Sequence, residues 1–214
     1  LGADRPDARG IRGTTHVSVV DAQGNAVSLM QTLGRYYGSA WAAPSLGFLL
    51  NGFLEPFDSD DPAAAEYLAP GGAAPMPVAP VVLVKEGRPV LVAGAPGSSR
   101  IPSILLSLLV AFVDGDDPPE AAYARPRMIW EDDRAGPRVM LEIAPPFSEP
   151  DVKALEAMGY AKVWALRAPS RDSGVFGGIY GIVHDAARGA WLGIVDGRRA
   201  GSAQAPARVA SPGR

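Results

Sequence analysis

The stretch from Ile101 to Val113 constrains the fold more than any other part of this chain. Ile101, Ile104, Leu105, Leu108, Leu109 and Phe112 recur at helical spacing, but Leu106 and Val110 fall on the other side. The predicted helix is therefore apolar nearly all round, and a helix of that kind is buried between layers. It does not cross a membrane: a span takes about 20 apolar residues, and this run carries Pro102, Ser103 and Ser107. Pro102 falls in the first turn, where its missing N–H costs nothing. The run Gly94-Ala-Pro-Gly-Ser-Ser-Arg100 leads into it as a turn.

The layers that would bury this helix are legible as strands. Thr15 to Val20 alternates, with Val17 and Val19 on one face and His16 and Ser18 on the other. Asp21-Ala-Gln-Gly-Asn25 is turn chemistry and Ala26 to Thr32 resumes as a strand, so the three form a hairpin. Pro80–Val84 and Pro89–Ala93 flank Lys85-Glu-Gly-Arg88 as a second hairpin, and Gly47–Leu50 reads as a short buried strand. Further helices are expected over Pro119–Ala124 and Glu149–Met158. Strands are expected over Arg138–Ile143, Ala161–Leu166, Gly178–Val183 and Ala190–Val195. Leu1 to Gly13 is a polar linker, and Asp58 to Pro80 is a long loop of the length that is usually functional or disordered. There is no internal repeat. The order suits one layered α+β domain with helices over central sheets.

Composition narrows the chemistry. The 214 residues carry a net charge of −3 with both signs interspersed, so no basic face for nucleic acid is expected. No cysteine is present, which excludes disulfides, zinc thiolates and a cysteine nucleophile but does not set the compartment. Asp58, Asp60 and Asp61 have no histidine or ordered spacing with them and read as a solvated loop, so no metal or other cofactor is expected. His184 and Asp185 read as turn residues. Tyr36, Tyr37 and Trp41 read either as pocket lining or as core. Leu1 stands where a methionine would open a gene product and no signal peptide opens the chain, so the reading is of a processed or truncated piece.

Thr14 follows Gly13 at the boundary between linker and first strand. A threonine hydroxyl is a weak nucleophile and needs a base. If the bond before it is cut, its own α-amine serves, because that amine titrates at about 7.7–8.0. A glycine on the acyl side leaves room for the hydroxyl to approach. Two β-branched residues starting a strand is the bland alternative.

The wider pattern decides between them. Gly13-Thr-Thr-His-Val-Ser-Val-Val-Asp-Ala-Gln-Gly-Asn-Ala-Val27 resembles the opening of the small subunit of γ-glutamyltransferases. The likeness continues through Thr32, Gly47-Phe-Leu-Leu-Asn51, Gly94–Arg100, Ala124-Arg-Pro-Arg127 and Asp196-Gly-Arg-Arg-Ala-Gly-Ser-Ala203. The resemblance implies an N-terminal-nucleophile αββα sandwich, of which this chain supplies part. Residues 1–13 would be the linker before the self-cleavage point Gly13-Thr14, and residues 14–214 the small-subunit catalytic domain. Thr14 would be nucleophile, Thr32 the second threonine that contacts the nucleophile's amine, and Gly97 and Ser98 the oxyanion hole. The partner would be a large subunit from the same precursor, carrying an arginine for the substrate carboxylate. Members are often periplasmic or secreted.

The pattern also breaks. Where the family has two aspartates after the Leu-Leu-Asn-Asn run, this chain has Glu55 and Pro56. Met76 and Pro77 stand at the paired serines that hold an α-carboxylate, and Gly34 at an asparagine. Met76 and Pro77 cannot hydrogen-bond a charged carboxylate, and burying one unpaired is costly. The expected activity is an amide hydrolase or acyltransferase acting through an acyl-enzyme on Thr14, with the acyl group open and γ-glutamyl disfavoured. The alternatives are a true glutathione-type γ-glutamyl enzyme that uses Glu55, and a catalytically silent subunit. His16 reads as a hydrogen-bonding residue beside the site before it reads as a base.

Overall fold

The computed structural model describes residues 13–54, 57–73, 76–115, 117–133, 136–145, 147–160, 163–167 and 173–205. Strands β1 (Thr14–Val20) and β2 (Ala26–Thr32) form an antiparallel hairpin in which Thr14 pairs with Thr32 and Val20 with Ala26. Asp21 makes the turn: its carboxylate accepts from the Gln23 and Asn25 amides and from the Asn25 side chain. A four-stranded antiparallel sheet follows the order β3 (Val81–Lys85), β4 (Arg88–Gly94), β8 (Tyr180–Asp185), β9 (Ala190–Val195). A third sheet has the order β5 (Met128–Asp133), β6 (Gly136–Ile143), β7 (Val163–Arg167). β6 and β7 are parallel, so a crossover must join them, and α3 (Glu149–Ala157) supplies it. Ser148 and Asp151 cap its start reciprocally.

The hairpin β1–β2 lies over β4 and β8, and the side chains on its less exposed face include His16, Ser18 and Ser28 together with Met30, which packs against the core. The Ser18 hydroxyl donates to the Val92 carbonyl at 3.1 Å and the Ser28 hydroxyl to the Ala93 carbonyl at 3.0 Å. Val17, Val19, Val27 and Leu29 consequently point outward and are exposed. On the opposite side of the sheet lie α1 (Ile101–Val113) and α2 (Pro119–Ala124). Leu91, Ala93, Ala95, Ile101, Ile104, Leu105, Leu108, Phe176 and Ile179 form the core between them.

Two expectations are corrected and one strand is added. α1 is buried on one face only: Leu106 is 61% exposed and Val110 49%, because among the described residues no layer lies over its far side. Gly47–Leu50 is not a strand but a turn with one bridge, Ala42 to Leu49, since Gly47 takes a φ of 69° and bends the chain away from extension. β5 was not anticipated, because Met-Ile-Trp-Glu-Asp-Asp loses its apolar alternation halfway; β6 imposes it by pairing.

Candidate active site

Thr14 begins β1 and Thr32 ends β2, so the hairpin register alone sets the two side chains opposite each other. The Thr14 hydroxyl donates to Thr32 Oγ1 at 3.1 Å. Thr32 in turn donates to the carbonyl oxygen of Gly13 at 3.0 Å and accepts from the amide of Gly34 at 3.0 Å. One proton given and two accepted use the full capacity of a hydroxyl. Gly34 adopts a φ of 83°, which bends the chain so that its N–H turns back to Thr32. The Thr14 hydroxyl, the Thr32 hydroxyl and the Gly13 carbonyl oxygen thus lie in one chain of hydrogen bonds.

His16 is two residues along the same face and buried. The Ser18 proton is already committed to Val92, so His16 Nε2 is the donor in its 2.7 Å bond to Ser18 Oγ. Nδ1 is buried with no hydrogen-bond partner. It lies against Gly94, where a Cβ would fall inside the imidazole, 2.6 Å from Cε1. Burial pushes the pKa of His16 down to about 4, against a smaller opposing effect of the Leu29 backbone. The ring is neutral and acts as a wedge between β1 and β4.

Gly97 and Ser98 form the turn between β4 and α1. Ser98 has a φ of 60°, left-handed for a residue with a side chain, and the 3-10 turn Ser98–Arg100 leads directly into the helix. A Cβ on Gly97 would meet Ile104 Cδ1 at 2.5 Å, and Gly177, at a φ of 70°, backs onto Pro96 O and the same Ile104. No hydrogen bond joins Gly97 or Ser98 to Thr14 among the described residues; what connects them is β4, whose Gly94 carries the His16 ring. Met76 and Pro77 lie in the coil before β3, Met76 exposed and Pro77 half-buried, outside the Thr14 cluster. Glu55 and Pro56 lie outside the described residues.

The residues quoted at 124–127 and 196–203 prove to be one buried charge lattice whose pairing the sequence did not disclose. Arg127 pairs with Asp196 and donates to the Phe176 carbonyl at 2.7 Å and to that of Gly177 at 3.3 Å. Arg198 bonds Asp196 at 3.1 Å and both oxygens of Glu142. Burial pushes the Asp196 carboxyl up, but the Arg127 charge, the Arg198 amide and the Arg198 charge together hold it below the usual carboxylate range. Through Gly177 and Pro96 this lattice backs the turn at Gly97. Glu142 gave no signal of its own, being one acid in an apolar strand. A cleft of about 680 Å³ runs beside β1, with Thr14, His16, Ser18, Trp191 and Ser202 among its walls.

The family model described as gamma-glutamyltranspeptidase matches residues 3–206. This chain belongs to the gamma-glutamyltranspeptidase family. It is 34% identical over 154 residues, 72% of its length, to the acylase ACY 1 proenzyme of Pseudomonas sp. (strain V22), and covers 26% of that protein. To the glutathione hydrolase proenzyme of Escherichia coli (strain K12) it is 35% identical over 158 residues, 68% of this chain and 26% of the relative. The solved gamma-glutamyltranspeptidase from Pseudomonas nitroreducens complexed with L-DON superposes with a TM-score of 0.73 at 27% identity, over 90% of this chain and 100% of that one. The chain thus spans about a quarter of the length of the curated relatives it matches. Its fold is that of the gamma-glutamyltranspeptidase N-terminal-nucleophile hydrolases, mixed α/β with sheets packed face to face.

Proposed function

We propose that this chain carries the nucleophile of an amide hydrolase or acyltransferase that cleaves itself between Gly13 and Thr14 and then works through an ester on Thr14. The observation that supports this best is the path Thr14 hydroxyl to Thr32 Oγ1 to Gly13 carbonyl, 3.1 and 3.0 Å. In the self-cleavage, Thr14 Oγ bonds to the Gly13 carbonyl carbon, the C–N bond breaks, and the hydroxyl proton ends on the Thr14 nitrogen. Water then hydrolyses the ester, leaving a free amine and hydroxyl on Thr14 and a carboxylate on Gly13. The freed amine takes the hydroxyl proton when a substrate amide is attacked and delivers it to the leaving amine. Gly97 and Ser98 are the proposed donors to the developing oxyanion, since the turn before α1 presents backbone N–H groups at a helix start. Residues 1–13 would precede the cut and 14–214 follow it. A large subunit from the same precursor is the proposed partner, as the proenzyme names of the relatives support.

The proposed substrate is an amide whose acyl group lacks the α-amino acid head of γ-glutamyl. Pro56, Met76, Pro77 and Gly34 offer no charged side chain for such a head, and among the relatives is an acylase. Purified full-length protein should yield a fragment beginning at Thr14 by mass spectrometry, and Thr14→Ala should leave it uncut and inactive. A stable uncut wild-type precursor at neutral pH would sink the reading. With the matured protein, kcat/KM on γ-glutamyl-p-nitroanilide should be lower than on simple acyl anilides; the reverse preference would return the assignment to a glutathione-type enzyme using Glu55.

A further inference from the structure

Gly13 is itself the acyl group of the bond that Thr14 would cut first. Its carbonyl is the scissile one, its Cα is the first carbon of the acyl chain, and the Cβ it lacks would be the second. A Cβ built on Gly13 lies 3.8 Å from Tyr36 Cδ1, ordinary van der Waals contact, and among the described residues other than its chain neighbours no other atom comes within 4 Å. Tyr36 stands on a turn that is fastened along its length. Gly38 N–H bonds Arg35 O, Ser39 N–H bonds Leu50 O, Leu50 N–H bonds Trp41 O and Gly52 N–H bonds Leu33 O, all between 2.9 and 3.0 Å. Tyr37 and Ala40 are held in it at φ of 64° and 61°, left-handed values that residues with side chains adopt only when their surroundings enforce them. Tyr36 as a residue is 63% exposed, so part of its surface is open to a ligand.

From this we propose that Tyr36 is the apolar wall of the acyl site, and that it selects acyl groups presenting an aromatic or aliphatic face at the second carbon from the scissile carbonyl. The proposal rests on Thr14 as nucleophile. Self-cleavage and substrate turnover pass through the same bond type, an ester of Thr14 Oγ, so the first acyl carbon sits the same number of bonds from the strand in both. What borders Gly13 beyond that carbon borders the substrate's chain. The approaching atom, Cδ1, is a ring carbon distant from the phenolic hydroxyl, so the contact rewards apolar surface. Residue 34, earlier on the same turn, is a glycine and brings no polar side chain to compete.

The test uses the full-length, self-processed protein on acetyl-, hexanoyl- and phenylacetyl-p-nitroanilide. The acyl group carried by the Thr14-initiated fragment is weighed by mass spectrometry in the same samples. The ratio of kcat/KM for phenylacetyl over acetyl should fall about tenfold in Tyr36→Ala, the scale of one lost aromatic packing contact. Tyr36→Phe should keep the ratio within twofold. If Tyr36→Ala does not self-process, Tyr36→Leu is read in its place, where the ratio of phenylacetyl to hexanoyl should fall. Acyl found on Thr14 with a ratio that Tyr36→Ala or Tyr36→Leu leaves unmoved overturns the wall alone. No acyl on Thr14 in any sample overturns the nucleophile and the wall together.

Discussion

In the proposed self-cleavage Thr32 would hold both ends of the reaction in one side chain, accepting from the Thr14 hydroxyl and donating to the Gly13 carbonyl. Thr32→Val keeps the shape and removes both bonds, together with the acceptor for the Gly34 N–H. Each bond contributes about 0.5–1.5 kcal/mol, so loss of both should slow self-cleavage by roughly 5–150-fold, and Thr32→Ser should recover most of it. The rate at which the Thr14-initiated fragment appears measures this, and an unchanged rate in Thr32→Val would remove Thr32 from the path. His16 makes a pH-dependent contribution of a different kind. Its folded pKa of about 4 lies below the ordinary 6.5, so the folded state favours the neutral ring. Its contribution is complete above pH ~6.5 and is lost as pH falls toward ~4, up to about 3 kcal/mol in all. Thermal melts of the full-length protein at pH 7, 5.5 and 4 should show that loss, and His16→Gln should flatten the slope over this window. A slope of the same size in His16→Gln would mean that other groups set it.

At the scale of elements, one contact that fixes the Thr14 strand against the sheet, beside the serine bonds, is a histidine ring on a glycine. Gly94→Ala would drive a methyl into the His16 imidazole. Overpacking of this kind costs about 1–3 kcal/mol, and the displaced β1 carries Thr14 with it. Both stability and self-cleavage should drop in Gly94→Ala, and the added change His16→Ser should restore stability by making room. Additive losses in the double variant would show that the two residues do not act through each other. The same elements show what could be read from sequence and what could not. The hairpin Thr14–Thr32 was legible because Asp21 to Asn25 encodes its turn and the residues around it alternate. That alternation does not say which face is inward. Here the serines turn in, because Val92 and Ala93 offer carbonyls to them, and the valines find no layer among the described residues. The strand Met128–Asp133 was illegible because its pairing with Gly136–Ile143 replaces periodicity as the cause. The lattice of Arg127, Glu142, Asp196 and Arg198 joins residues far apart in sequence, and no local pattern foretells such a pairing. Tyr36 was visible only as an aromatic near the motif; its place beside Gly13 comes from the turn that folds it back.

Across the whole molecule, two apolar surfaces stand on opposite outer sides of the layers. Val17, Val19, Val27 and Leu29 form one, on the hairpin that carries Thr14; Leu106, Val110 and Val113 form the other, along α1. Sheet and helix faces of this kind are buried in stable folds, and exposed ones drive association. The relatives are about four times longer than the part matched here, so the rest of such a precursor is the natural cover. The chain alone should therefore bind a hydrophobic dye and self-associate at micromolar concentration, and it should be inactive. A soluble, cooperatively folding and active chain would refute the two-piece architecture. The sharper measurement uses one substitution in two contexts. Val19→Asp lies on the outer hairpin face, away from the Thr14–Thr32 bonds. In the isolated chain it interrupts an exposed apolar patch and should reduce association. In the full-length protein the same carboxylate would be buried under the covering layer without a partner, at a cost of several kcal/mol, and should impair assembly and self-cleavage. Opposite signs in the two contexts identify a covered face. Improved or unchanged behaviour in both would mean that the face stays in water throughout, and that the cover lies elsewhere.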